Sequence, residues 1–207
     1  MAHYRGRIGS ATLLNTAISL IEGVAALCSG SLSLLVDSVH NLSDELALVC
    51  LYVAFFLPGR LGRHSQRIAN LLNSAELEAI SSGLAWRAMQ RLTHPTAIHG
   101  VVPIVVGLAA AAANWWVAVL LREPAKKNSA VRLAYLHNLG DVGVSLAPVV
   151  AGALVALSGR ATFDTVTALS VAVWLVGSTA KELLMSSGEL LWPEEMMCGE
   201  HEDEATA

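Results

Sequence analysis

The chain has 207 residues, of which 54% are hydrophobic and only 14% are charged. Soluble domains carry about 25% charged residues, so this composition excludes an ordinary water-facing surface. Seven of the 17 acids lie in the last 19 residues, and the rest of the chain is not basic enough to predict a nucleic-acid partner.

Six apolar stretches are long enough to cross a bilayer, for which an α-helix needs about 20 mostly apolar residues. Turn-forming residues separate these stretches, including Ser29-Gly30-Ser31 and Ser158-Gly159-Arg160. The sequence predicts an all-α integral membrane protein, with a six-helix transmembrane domain at 1–188 and a short, disordered acidic cytoplasmic tail at 189–207. The predicted spans are residues 10–28, 33–57, 68–90, 101–121, 131–157 and 163–185.

The third stretch is more polar than the others, because it contains Glu76, Glu78 and Arg87. Such a helix is predicted to pack inside a bundle or dimer, or to lie partly at the membrane interface. The sequence leaves three roles open for the two glutamates. They can pair with Arg87, line a pathway or lie in a subunit interface.

The basic residues predict the orientation of the bundle, since positively charged loops stay in the cytoplasm. If both termini are cytoplasmic, the inner segments hold eight basic residues and the outer turns hold only Arg91 and Arg160. The second and fifth helices then run in opposite directions. The eight inner residues are Arg5, Arg7, Arg60, Arg63, Arg67, Arg122, Lys126 and Lys127.

Two His-x-x-x-Asp pairs stand out, His40 with Asp44 and His137 with Asp141. The spacing places each pair on one helix face, near the middle of its span. An ionisable group at that depth costs about 2.5–3.5 kcal/mol, so the pairs need a partner. Two imidazoles and two carboxylates suit tetrahedral zinc, and the two aspartates balance the charge of the ion.

The polar residues also fit roles that involve no transported metal. The four residues could form internal hydrogen bonds in a non-transporting assembly or structural subunit. A zinc enzyme is disfavoured, because the sequence has no H-E-x-x-H pair. Asp37 is a candidate hydrogen-bond acceptor for a ligating histidine, a candidate relay, or a helix cap. Glu22 is predicted to make interior hydrogen bonds, with proton relay as the second interpretation.

The run from Ser29 to Asp44 and the run from Tyr135 to Asp141 resemble the cation diffusion facilitator family. The resemblance extends over all six predicted helices. It also includes isolated polar and turn residues along the chain, namely Asn15, Glu22, Arg91, Leu92, Pro95 and Asp164.

The resemblance implies a secondary active transporter, not an enzyme, that exports zinc in exchange for protons by alternating access. It places the metal site on His40, Asp44, His137 and Asp141, and histidine at the first motif position goes with zinc in this family. Cadmium and cobalt remain open as further substrates. The resemblance also implies a homodimer, which would rest on the transmembrane helices. The small size and minimal loops predict a prokaryotic inner (plasma) membrane, with an organellar membrane as the alternative. Family members usually add a soluble domain after the sixth helix, which this chain is expected to lack.

Overall fold

The structure, a computed structural model, describes residues 2–54, 59–126 and 129–191. These residues form six α-helices in the predicted order and no strand. The helices are α1 (Ala2–Ser29), α2 (Leu32–Ala54), α3 (Gly59–Thr93), α4 (Val101–Ala125), α5 (Ser129–Ser158) and α6 (Thr162–Leu191).

Two helices begin earlier than the apolar stretches that predicted them. Helix α1 starts at Ala2 instead of residue 10, and α3 starts at Gly59 instead of residue 68. Hydropathy detects only the apolar part of a helix, whereas its backbone hydrogen bonds can continue through polar residues. The predicted boundary after residue 188 lies inside α6, and the predicted tail from residue 192 onward lies outside the described residues.

Glycines in the left-handed region close two of the predicted turns. Gly30 has a φ of 72° between α1 and α2, and Gly159 has a φ of 69° between α5 and α6. A residue with a Cβ is strained in this conformation, and glycine is not. A two-residue connection can therefore reverse the chain between α1 and α2.

The Gly30 turn marks one end of the bundle, called here the Gly30 end. The Arg91 guanidinium donates from Nη1 to the Gly30 carbonyl oxygen at 2.6 Å, and the His99 amide donates to the Ser29 carbonyl oxygen at 3.2 Å. The connection between α3 and α4 therefore lies beside the turn between α1 and α2.

The first residues of α6 are held at the same end. The Asp164 carboxylate accepts hydrogen bonds from Ser31 Oγ at 2.6 Å, the Leu32 amide at 2.7 Å and Ser33 Oγ at 2.5 Å. We call these four residues the clasp. It supplies acceptors for the first amides of α2, which have no partner within their own helix. Because α2 starts here and α5 ends at the turn before α6, α2 and α5 run in opposite directions.

Close packing joins α4 to α5, the most extensive helix pair in the described part of the bundle. A Cβ on Gly152 of α5 would lie 2.6 Å from the Gly100 carbonyl oxygen and 2.9 Å from Pro103 Cγ. Small residues of this kind let two helix backbones approach within a membrane. Helices α2, α3 and α6 share a separate core of buried leucine, valine and alanine side chains.

Gly152→Ala should destabilise the bundle by about 1–3 kcal/mol, because the added methyl group meets backbone atoms that cannot move aside. The matched control is Gly143→Ala in the same helix, where a Cβ meets nothing within 4 Å. The control should be neutral or stabilising by up to about 1 kcal/mol, from its higher helix propensity. Unfolding in mixed micelles with increasing SDS measures both effects, and equal stability of the two variants would contradict the prediction.

The distribution of side chains is the reverse of that in a soluble protein. Trp86, Trp115, Trp116 and Trp174 are each more than half exposed, whereas Glu22 and Asp164 are completely buried. Water does not favour such a surface, but lipid does.

Three segments of the described residues are long and apolar enough to cross a bilayer: Val101–Glu123, Tyr135–Ser158 and Thr162–Lys181. Their length and composition agree with the fourth, fifth and sixth predicted spans. The apolar segment Leu13–Ser29 is shorter. The first three spans remain predictions, since α2 carries three acids and α3 contains many polar residues.

Candidate metal centre

The two His-x-x-x-Asp pairs lie inside helices that pack against each other. His40 and Asp44 belong to α2, and His137 and Asp141 belong to α5. The four-residue spacing is about one helical turn, so the members of each pair share a face. The structure thus brings together two motifs that are almost 100 residues apart in the chain.

The Asp141 carboxylate lies close to both imidazoles. Its Oδ1 is 3.4 Å from His40 Nε2, and its Oδ2 is 4.0 Å from His137 Nε2. The two imidazole centroids are 6.0 Å apart. His40 and Asp141 are buried, whereas the side chain of His137 is 47% exposed.

These separations suit donors that converge on one ion. Two ligands of a tetrahedral zinc ion, each about 2.0 Å from the metal, are about 3.3 Å apart. The distance between His40 Nε2 and Asp141 Oδ1 is close to that value. Among the described residues, no group of three or more His, Cys, Asp or Glu side chains is arranged closely enough to hold a metal ion. The fourth predicted ligand, Asp44, lies in α2 one turn beyond His40, and its side chain is outside the described residues.

A second buried polar group, the carboxyl cluster, lies beside this centre and consists of Glu22, Asp37, Asn41, Asn114 and Ser145. All five residues are less than 5% exposed. Among the described residues, no lysine or arginine forms a salt bridge with Glu22 or Asp37. The cluster joins four helices, α1, α2, α4 and α5.

Hydrogen bonds connect the carboxyl cluster from one acid to the other. Asn41 Nδ2 donates to Glu22 Oε2 at 2.9 Å. Asn114 Nδ2 donates to Asn41 Oδ1 at 3.4 Å and to Ser145 Oγ at 3.1 Å. Ser145 Oγ donates to Asp37 Oδ1 at 3.3 Å. The carboxyl groups of Glu22 and Asp37 also interact directly with each other.

The carboxyl cluster lies between the candidate metal centre and the Gly30 end. Asp37 precedes His40 by three residues in α2, on the side of the clasp. Ser145 follows Asp141 by four residues in α5, which runs towards the Gly30 end. The two groups are therefore successive polar layers, about one helical turn apart.

One further buried contact supports α5 next to His137. Asn15 Nδ2 of α1 donates to Asn138 Oδ1 of α5 at 3.3 Å, and both side chains are buried. Because Asn138 directly follows His137 in the chain, this bond fixes α5 against α1 at the level of the candidate ligand. Hydrogen bonds between membrane helices contribute about 0.6 kcal/mol on average, so its main role is positional.

The structure corrects one interpretation and confirms another. Asp37 lies inside α2, which begins at Leu32, so it does not cap that helix. The cap comes instead from Asp164 at the start of α6. Glu22 makes the interior hydrogen bond that the sequence predicted, to Asn41. The relay role of Glu22 and Asp37, and the role of Asp37 as an acceptor for a ligating histidine, remain predictions.

Sequence reasoning missed Asn114 and Ser145 of the carboxyl cluster. Asn114 is the one strongly polar residue within the apolar stretch 101–121, and this isolation was the available signal. Ser145 gave no signal, because serines are common in membrane helices and are satisfied by their own backbone.

The described side chains of α3 form no ion pair that accounts for Glu76 and Glu78. Within the described part of the chain, neither Glu76 nor Glu78 forms a salt bridge with Arg87. Glu76 is exposed and Glu78 is half-buried. Pairing with Arg87 is thereby removed from the three roles that the sequence left open.

Comparison of the sequence with known proteins identifies its family. Residues 10–191 match the family described as the cation efflux transmembrane domain. The chain belongs to the cation efflux family. It is therefore an integral membrane protein, as its composition predicted, and the resemblance noted from its motifs is confirmed.

Curated relatives of this family member are named as transporters. It is 30% identical to the zinc transporter ZitB of Pectobacterium atrosepticum, over 89% of this chain and 61% of the relative. It is 28% identical to the cadmium, cobalt and zinc/H(+)-K(+) antiporter of Bacillus velezensis, over 80% of this chain and 56% of the relative. It is 26% identical to the human proton-coupled zinc antiporter SLC30A8, over 74% of this chain and 46% of the relative. The chain thus spans about three fifths of the length of its bacterial relatives, and less of the human one.

Proposed function

We propose that this cation efflux family member exports divalent metal ions, zinc foremost, in exchange for protons. The proposed site is tetrahedral, with His40 and Asp44 from α2 and His137 and Asp141 from α5. The observation that carries the proposal is the position of the buried Asp141 carboxylate near both imidazoles, at the contact of two helices. Zinc, cadmium and cobalt are all named as substrates of relatives, and the same donors accept each of them.

Ligand chemistry supports the exchange of metal for protons. Zinc binds neutral imidazoles and ionised carboxylates, so an ion that enters a protonated site releases protons. Protons that arrive from the opposite side then expel the ion. Two aspartates balance the double charge of zinc, which lowers the cost of holding it inside the membrane.

The same proposal includes the topology and assembly of the protein. Six spans with both termini in the cytoplasm agree with the distribution of basic residues, eight inside and two outside. In this topology the Gly30 end faces away from the cytoplasm. We also propose a homodimer through the transmembrane helices in a bacterial plasma membrane, where the polar face of α3 would be covered.

Zinc-driven proton flux in proteoliposomes tests the function. Vesicles that contain a pH-sensitive and a zinc-sensitive dye receive external zinc. We expect luminal zinc to rise and the lumen to become more alkaline, because one ion enters as protons leave. Vesicles with the Asp141→Ala variant and vesicles without protein should show neither change. Parallel runs with cadmium and cobalt define the range of substrates.

Different results in this experiment would select different functions. Zinc entry without a pH change would contradict exchange and leave a passive pathway. If correctly folded protein gives no entry of any metal, the buried polar contacts belong to a structural or assembly subunit. The fold of each preparation is checked by far-UV circular dichroism before reconstitution.

A further inference from the structure

The carboxyl cluster holds two acids that form no salt bridge with a described lysine or arginine. Glu22 is 0% exposed and Asp37 is 1% exposed, and their carboxyl groups interact directly. Two ionised carboxylates at such close range repel each other, and burial strengthens the repulsion. The pair therefore needs one positive charge.

The hydrogen bonds of the pair identify where that charge belongs. Glu22 Oε2 accepts from Asn41, and Asp37 Oδ1 accepts from Ser145. The remaining oxygens, Glu22 Oε1 and Asp37 Oδ2, are buried and have no hydrogen-bond donor among the described residues. Buried acceptors without a donor are costly in the interior of a protein. A single proton shared by the two carboxyl groups would supply a missing donor and halve the charge of the pair.

The neighbouring titratable groups already have other contacts. The buried ones on the packed helices are His40 and Glu45 of α2, Asp141 of α5 and Asp164 of α6. Asp164 is bonded within the clasp, and Asp141 approaches His40. Glu45 lies beyond His40, further from the Gly30 end. His40 is the one that interacts electrostatically with Asp37. Among described residues, α4 brings Asn114 and no titratable side chain to the cluster.

We propose that Glu22 and Asp37 form a proton-binding site, in which one proton is shared by the two carboxyl groups. This site is distinct from the metal ligands and lies one helical turn nearer the Gly30 end. It places a proton beside the metal pathway on the side from which protons enter in the proposed exchange. Its role in transport rests on the proposed function, whereas proton binding itself does not.

Infrared spectroscopy of the full chain in lipid nanodiscs tests the site without requiring transport. A protonated buried carboxyl group has a carbonyl stretching band that a carboxylate lacks and that shifts in D2O. At neutral pH the unmodified protein should have this band. Glu22→Gln should remove it, because the amide supplies a hydrogen to Asp37 and leaves that residue ionised. Asp37→Asn should remove it for the same reason.

Glu76→Gln is the matched control, since Glu76 is an exposed acid of the described chain. This variant should keep the band unchanged. Both test variants retain the shape and an acceptor oxygen of the residue they replace. If one of them fails to fold, as judged by circular dichroism, the other decides the question. A band that persists in the folded variants, or is missing from the unmodified protein, would overturn the proposal.

Potassium and sodium titrations distinguish a proton from an alkali cation as the bound charge. The band should be the same in potassium, sodium and a bulky organic cation. A band that disappears as potassium or sodium rises would assign the site to that ion and contradict the proton site. The proton-binding site and the proposed transport function can also fail independently of each other. A Glu22-dependent band in a protein without metal flux would leave the proton site intact and remove the transport function.

Discussion

Asp141→Asn is expected to weaken zinc binding by more than about 100-fold, beyond the 10- to 100-fold typical of residues that only support a ligand. The asparagine keeps the shape of the side chain but removes its charge. Since Asp141 is the carboxylate that approaches both His40 and His137, its replacement affects the whole proposed ligand set. Competition with a zinc chelator, on purified protein in micelles, measures the dissociation constant.

The control for this loss is Glu123→Gln. Glu123 is an exposed carboxylate at the end of α4 and forms an ion pair with Lys126 at 2.7 Å. Removing the same charge there should leave the zinc dissociation constant within about twofold, because surface charges are screened by water and salt. If Asp141→Asn binds zinc as tightly as this control, the proposed ligand set is wrong.

Asp164→Ala is expected to lower the free energy of unfolding by about 3–4 kcal/mol, through loss of the clasp. The carboxylate is fully buried and accepts from Ser31, Leu32 and Ser33, so its removal leaves several buried donors without acceptors. Asp164→Asn retains one acceptor oxygen and should lose less, about 1–2 kcal/mol. SDS-induced unfolding in mixed micelles, followed by circular dichroism, measures the free energy of unfolding of the unmodified protein and of each variant.

Ser170→Ala provides the control on the same helix. The Ser170 hydroxyl is exposed and, among the described residues, donates to the Val166 carbonyl oxygen of its own helix at 2.9 Å. Its removal should change stability by no more than about 0.5 kcal/mol. The clasp would be irrelevant to stability if Asp164→Ala unfolded at the same SDS fraction as Ser170→Ala.

Features that depend on neighbouring residues could be predicted from the sequence. The order of the six helices follows from apolar length, and the turns at Gly30 and Gly159 follow from the conformational freedom of glycine. The pairing of His40 with Asp44 and of His137 with Asp141 needs only the helical repeat. The predicted starts of α1 and α3 were wrong, because both helices extend through polar residues that hydropathy does not detect.

The partners of the buried polar residues could not be predicted in this way. Asp37 suited a helix cap by its place near the start of α2, but Asp164 caps that helix from 131 residues away. Asn114 and Ser145 became part of a cluster only when α4 and α5 packed against α2.

The sequence by itself therefore determined the membrane class, the helices and the two motifs with metal-ligand chemistry. Hydropathy, turn geometry and helical spacing are local properties, which a short stretch of residues specifies. Only the tertiary structure decided that Asp141 of α5 lies near His40 of α2 and that Glu22 interacts with Asp37. Those contacts depend on which helix faces fit together, and this choice is made by packing along the whole length of the bundle.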